Sequence, residues 1–378
     1  MESINNNNDI YDIIIENERR KWESSMINNL QPTTWETPKY SGNQIDKAGK
    51  IIADPTSSEQ DRNEALEILN NWRSSHAYPL QVITSNLRRK NNNAIVVQRL
   101  KRLDSIVGKL ERFPEMSLYR MQDLGGCRVI ISSDNSESSI KEVYNSLNQY
   151  KNSRIRHILK RENDYIQNPK TSGYRSYHMV YQFQSDKIDT YNKNMLIEIQ
   201  FRTRLQHIWA TALETMGIYT KTALKASMGN KDILRFFVLV SSVFATFEKM
   251  PVCPNTSNNR DELIQEIKEI DKKLIITPKL NMMSSVIRIA NDEYNNKKGY
   301  YLLSLDLKNI HLKINRFETN EIQLATNIYN KIEAENNPNI DVVLVSATSF
   351  DTLKSAYPNY FNDIHEFITI MHAIYTIM

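Results

Sequence analysis

The residues best suited to chemistry lie between positions 99 and 202. In MQDLGGCRVII, Asp123 stands just ahead of Gly125 and Gly126 and an apolar stretch, with Arg128 five positions on. A carboxylate at a strand mouth, beside glycines that allow close backbone approach, suits a hydrated Mg2+ ion and the phosphates it bridges. A turn aspartate capping a Gly-Gly bend reads the same way. In IEIQFRT, Glu198, Gln200 and Arg202 alternate with Ile197, Ile199 and Phe201. That alternation gives a strand one apolar face and one polar face with three convergent groups, a site or a solvated sheet face. SGYRSYHMVYQF repeats the period and puts Tyr174, Ser176 and His178 on one side. They would offer a stacking ring, a hydroxyl and an imidazole to one ligand, with an ordinary edge strand as the plainer alternative. In RLKRLDSIVGKLER, Arg99, Lys101, Arg102 and Lys109 read as a basic helix with Ser105 nearby. Arg99 and Arg102, Arg102 and Ser105, and Ser105 and Lys109 fall at helical spacing, so the face would bind a polyphosphate or simply be solvated. Carboxylates for a metal ion and a base, with cations for phosphates, are the parts phosphoryl-group transfer needs.

The elements that must position these groups follow from hydrophobic period. Residues 9–30 and roughly 60–113 read as helices, the latter from Val96, Leu100, Leu103, Ile106, Val107 and Leu110. From Gly126 the pattern changes to a short strand, a helix over 135–150, and strands near 155–162, 174–184 and 195–203. Helices follow near 204–221 and 231–250, with a break at Pro251 and Pro254. Beyond it come helices near 259–277 and 281–297, strands over 301–307 and 311–317 joined by a turn at 308–310, a helix near 321–336, a strand over 341–346 and two last helices. The expected class is α+β, a mixed sheet flanked by helices. The expected divisions are an extension over 1–59, a catalytic core over 60–255, a helical linker over 256–298 and a small α+β module over 299–378.

Composition narrows the classes. The chain of 378 residues is 40% hydrophobic and 24% charged, with net charge +4. No apolar run reaches the roughly 18 residues of a membrane span, and the start lacks the charge and apolar pattern of a secretory signal. A cytoplasmic protein without membrane attachment is expected. Cys127 and Cys253 are too few for a disulfide framework or a four-cysteine zinc site. Two basic clusters, Arg88 to Lys90 and the series Arg154, Arg156, Lys160 and Arg161, could meet nucleic-acid phosphates or be ordinary solvated surface.

In order and spacing these motifs resemble the synthetase domain of the RelA/SpoT family. The matching residues are Arg99, Lys101, Ser105 and Lys109, then Asp123, Gly126 and Arg128, then Gly173 to His178, then Glu198, Gln200, Arg202 and Thr203, and a helix with Trp209, Ala210 and Glu214. Arg102 stands where the family often has Ser, and Thr215 where many members have His. The resemblance implies a nucleotidyltransferase-like sheet and transfer of the β,γ-pyrophosphate of ATP to a 3'-hydroxyl. It implies that Arg99 and Arg128 sandwich adenine and that Lys101, Ser105 and Lys109 hold the phosphates. Asp123 and Glu198 would bind Mg2+, with Glu198 also the general base. Tyr174 would stack on the acceptor base beside His178 and Gln200.

The segment SAYPNYF carries Tyr357 and Tyr360 around Pro358; aromatics at helical spacing are ordinary core residues. The segment also resembles the Tyr-x-x-Tyr element of CapRel, the fused toxin–antitoxin branch of the family, whose C-terminal pseudo-zinc-finger domain folds over the ATP site. That resemblance implies tRNA as acceptor, pyrophosphorylated at its CCA end, and anti-phage defence triggered by a phage capsid protein. GDP or GTP is the alternative acceptor, as in small alarmone synthetases.

Overall fold

A β-branched run sets the first strand where helix was expected. Ile95, Val96 and Val97 follow three asparagines that end the preceding helix, and Asn91 caps it in a non-helical conformation. Val96, Gln98 and Leu100 bury one face of the new segment while Val97 buries the other, so period two prevails and the residues pair as a strand. The computed structural model of the chain describes residues 11–21, 35–133, 135–220, 224, 227–284, 297–306, 311–335, 337, 339–357 and 364–376. The turn expected at 308–310, most of the helix at 281–297 and Tyr360 lie outside them.

In chain order the helices are α1 (11–21), α2 (Gly42–Ala53), α3 (Glu59–Ser75) and α4 (Ala77–Lys90), then strand β1 (Ile95–Leu100) and helix α5 (Leu103–Arg112). Strand β2 (Gly125–Ile131), helix α6 (Ser136–Lys151) and strands β3 (Ile158–Asp164), β4 (Tyr177–Gln182) and β5 (Leu196–Thr203) follow. Four helices come next: α7 (Arg204–Thr220), α8 (Lys231–Phe247), α9 (Arg260–Leu274) and α10 (Ile276–Ser284). The chain closes with β6 (Gly299–Asp306), β7 (His311–Phe317), α11 (Ile322–Ala334), β8 (Ile340–Ala347), α12 (Phe350–Ala356) and α13 (His365–Thr376). Among the described residues no helix is long and apolar enough to cross a membrane.

All eight strands form one sheet in the order β3-β4-β5-β2-β1-β8-β6-β7. β2 and β5 pair in parallel, and the other neighbours are antiparallel. The strands expected in a small C-terminal module therefore continue the same sheet through β8, although β8 meets β1 only at Gln98↔Ser346 and Arg99↔Val345. β4 lies between β3 and β5 and is not an edge.

One sheet face packs on α2 to α4 and α6. On the other face Val97 and Ile130 join Tyr301, Leu303, Val343 and Val345 under Phe350 and Leu353 of α12. A third core holds α7 to α10 together with α13. The last segment thus crosses the sheet, with α12 over β1 and β8 and α13 against the α7–α8 helices.

Candidate active site

The mouth of the sheet gathers residues from four elements into one pocket of about 150 Å³, lined by Arg99, Lys101, Asp123, Gly126, Arg128, Glu198, Gln200 and Tyr357 among others. Gly126 opposes Glu198 in the parallel register. Gly125 serves packing instead, since a Cβ there would meet Ile197 at 2.8 Å.

Arg99 lies on β1 and Arg102 at the N-cap of α5, so the helix face expected to join them does not exist. Ser105 stays in the first turn of α5, four residues before Lys109. The two lysines converge on one carboxylate, Lys101 Nζ donating to Asp123 Oδ2 at 2.8 Å and Lys109 Nζ to Oδ1 at 3.0 Å. Burial pushes the Asp123 carboxyl up, but the two ammonium groups outweigh it and bring its pKa down to about 2. Burial dominates at Lys101 and lowers its pKa, against the pull of Asp123.

Glu198 is held by two donors. His178 Nδ1 lies 2.9 Å from Oε1, and Gln200 Nε2 donates to Oε2 at 2.6 Å. Arg202 Nη2 donates to Gln200 Oε1 at 2.8 Å and to the Tyr174 hydroxyl at 2.7 Å, and that hydroxyl lies 2.7 Å from His178 Nε2. The five side chains close a ring that fixes the carboxylate in place. Burial raises the Glu198 pKa, yet the His178 contact carries it below the ordinary range. Burial disfavours the His178 imidazolium, but Tyr174 and Glu198 bring its pKa up to about 8. Burial likewise opposes ionisation of Tyr174, and Arg202 with His178 brings it down to about 8. A deprotonated, oriented carboxylate facing a pocket of cations can accept a proton from a hydroxyl whose oxygen attacks a phosphate. Asp123 and Glu198 line this pocket together, and their hard oxygen donors fit Mg2+, which fills its shell with water and phosphate oxygens.

The segment ahead of β4 is not a strand. Gly173 has φ +86°, and a Cβ there would lie 3.0 Å from Trp209 and 3.1 Å from the Val238 backbone, a site that requires glycine. Ser176 turns away from the ligand face and donates to the Phe201 carbonyl at 3.0 Å. Tyr174 reaches the site through its hydroxyl, with the Arg202 guanidinium 5.1 Å from its ring centroid.

Tyr357 is buried and donates its hydroxyl to the Gln98 carbonyl at 3.4 Å. The carbonyl just before it, on Ala356, accepts from Arg128 Nη1 at 3.3 Å. Sequence reasoning missed Arg204 and His207, which both donate to the Ser355 carbonyl; their position in the first turn after the IEIQFRT strand was the available signal. It also missed Arg73, whose Nε donates to the Lys101 carbonyl at 2.7 Å while its Nη2 pairs with Glu333. No local pattern points to a partner so distant in sequence. Arg88 donates to the Val96 and Ser346 carbonyls at 3.1 Å each and so is not a free phosphate binder.

Residues 98–223, the stretch that supplies both carboxylates, match the region found in RelA / SpoT proteins. Over 118 residues the chain is 31% identical to the GTP pyrophosphokinase YjbM of Bacillus subtilis (strain 168), covering 31% of this chain and 52% of that protein. It is 34% identical over 118 residues to the GTP pyrophosphokinase YwaC of the same organism, covering 30% and 52%. The chain spans about half the length of these curated relatives. The crystal structure of small alarmone synthetase 1 from Bacillus subtilis, bound to its product pppGpp, matches with TM-score 0.37 and 22% identity over 45% of this chain and 90% of that one.

Proposed function

We propose that this chain is a RelA/SpoT-type pyrophosphokinase that transfers the β,γ-pyrophosphate of ATP to a 3'-hydroxyl, and that its C-terminal segment holds it closed at rest. The observation that carries the reading is the pairing, in one pocket, of a lysine-clamped Asp123 with a Glu198 kept anionic by His178 and Gln200. Glu198 takes the proton of the acceptor hydroxyl and the freed oxygen attacks the β-phosphorus. The bond from that phosphorus to the α,β-bridging oxygen breaks, AMP leaves, and the pyrophosphate stays on the acceptor. Lys101, Ser105 and Lys109 hold the phosphates, Arg99 and Arg128 the adenine, and Tyr174, His178 and Gln200 the acceptor side. Asp123 and Glu198 would hold a Mg2+ ion, which when bound spreads the charge of the phosphate oxygens.

Closure is supported by Tyr357, which lines the same pocket, and by Ala356, which engages Arg128. The acceptor we propose is the 3' end of tRNA, with anti-phage defence as the setting and a phage capsid protein as the releasing partner, on the strength of the SAYPNYF resemblance. The likeness to the GTP pyrophosphokinases YjbM and YwaC favours GDP or GTP as a second acceptor reading.

The test uses full-length Tyr357→Ala with terminally labelled ATP, Mg2+ and either deacylated tRNA or GDP and GTP, with Glu198→Gln as the blank. Label on tRNA supports the first reading and label on guanine nucleotides alone the second. A folded protein that labels neither would overturn both.

A further inference from the structure

Beneath the end of α12 lies a cluster of three arginines and a histidine, in which the reaction outlined above gives Arg128 to adenine, uses Arg202 to position Gln200 and Tyr174, and leaves Arg204 and His207 without a role. Arg202 is 2% exposed, and while its Nη2 serves Tyr174 and Gln200, its Nε and Nη1 have no hydrogen-bond partner among the described residues. Among the described residues the same holds for Arg128 Nε; His207, 1% exposed, is kept neutral by burial and the neighbouring arginines and gives its Nε2–H to the Ser355 carbonyl. Arg204 adds a third cation, paired with the partly exposed Glu366. Burial and the nearby Arg202 and Arg99 hold the Arg128 pKa down, and the Arg202 guanidinium lies 5.1 Å from the Tyr174 ring centroid. Glu198 directs its oxygens to His178 and Gln200 and pairs with none of these arginines.

Oxygen atoms already meet this cluster. The Ser355 carbonyl accepts from His207 Nε2 at 3.0 Å and Arg204 Nη1 at 3.4 Å, and the Ala356 carbonyl from Arg128 Nη1 at 3.3 Å. A carbonyl carries only a partial charge, and a buried N–H left unmatched is destabilising. Neighbouring buried guanidiniums add mutual repulsion, which a bound dianion would cancel. A phosphate group brings several strong acceptor oxygens and full charge, the complement of guanidinium forks.

We propose that Arg128, Arg202, Arg204 and His207 form a binding site for a phosphate group of a nucleotide, masked in this conformation by the Ser355 and Ala356 carbonyls. Phosphate entry there and seating of α12 exclude each other, so a nucleotide phosphate acts as a wedge that lifts α12 and Tyr357 from the pocket. The proposal goes beyond the reading given above and does not depend on turnover.

The experiment measures amide hydrogen exchange over residues 350–357 in the full-length chain, titrated with inorganic pyrophosphate. Exchange there should rise several-fold. Arg202→Met and His207→Gln, each checked for folding by its unfolding transition, should shift the half-effect concentration upward at least ten-fold. Lys101→Met, which removes a phosphate contact of the proposed donor site, should respond like the parent. No rise in the parent, or a response kept in both cluster variants and lost in Lys101→Met, would overturn the proposal. Adenosine acting as well as an ATP analogue would also overturn it, since it carries no phosphate. Parallel titrations with a non-hydrolysable ATP analogue and with GDP then assign the phosphate to donor or acceptor.

Discussion

The C-terminal part of the chain is attached in two different ways. The unit of β6, α11 and β8 is bonded through the interior. Arg73, fully buried, pairs with Glu333, donates to Asn330 and lies over the Tyr329 ring. Glu333 also accepts from the Leu103 amide at the start of α5, Arg102 pairs with Asp341, and Tyr300 donates to Gln81. Helices α12 and α13 instead pack on apolar side chains, Phe350 and Leu353 against the sheet and Phe367 and Met371 against α7 to α10, and meet the pocket itself only through main-chain carbonyls, one buried tyrosine and the half-exposed Arg204–Glu366 pair. Removing the first unit would strand a buried arginine and break a sheet. Lifting α12 would expose Phe350 and Leu353 but break no strand pairing and strand no buried charge. The proposed closure therefore belongs to the α12 strap, while β6, α11 and β8 are a standing part of the sheet that carries the pocket.

The sharpest way to break this comparison is Arg73→Met, which leaves Glu333 buried without its partner. A loss on the order of 3–5 kcal/mol is expected in denaturant unfolding, together with weaker function, because Arg73 also holds the Lys101 carbonyl. A neutral result would show that the sheet extension is loosely held.

Next in size is the ring around Glu198. His178 is raised to about 8 from an ordinary 6.5, so its contribution is complete below pH 6.5 and is lost as pH rises through 8. The loss is on the order of 2 kcal/mol. Tyr174, brought down to about 8, acts in the opposite sense above that pH, so the informative window is pH 6.5 to 8. Stability curves of the parent and His178→Gln should converge across it; parallel curves would contradict the assigned proton arrangement.

The smallest effect is expected at Glu366→Gln. Its carboxylate is 45% exposed, and such pairs contribute less than about 1 kcal/mol. Stability should barely change while exchange at residues 350–357 rises; a large stability loss would mean that the strap is as firmly anchored as α11.

Much of the site was legible because it rests on local periods. Glu198, Gln200 and Arg202 share a strand face at period two, and Ser105 and Lys109 share a helix face at four residues, as the structure has them. β1 was misread because Val96, Leu100 and Leu103 fall at spacings that a helix also satisfies, and only pairing with β2 and β8 decides the matter. The Tyr174 to Ser176 stretch was read as strand because its alternation continues that of β4, yet the Gly173 turn sets it apart. Contacts such as Arg73 with Glu333 or Arg128 with the Ala356 carbonyl join residues more than two hundred positions apart. Such contacts leave no local period, so the sheet extension and the strap's seat emerge only in three dimensions.

The most direct measurement is the affinity of the parent and of Tyr357→Ala for a non-hydrolysable ATP analogue. If Tyr357 shares the pocket of Arg99, Arg128 and Lys101 with the nucleotide, the variant binds at least ten-fold more tightly. Equal affinity in two folded proteins would contradict closure by the α12 strap and place the nucleotide elsewhere.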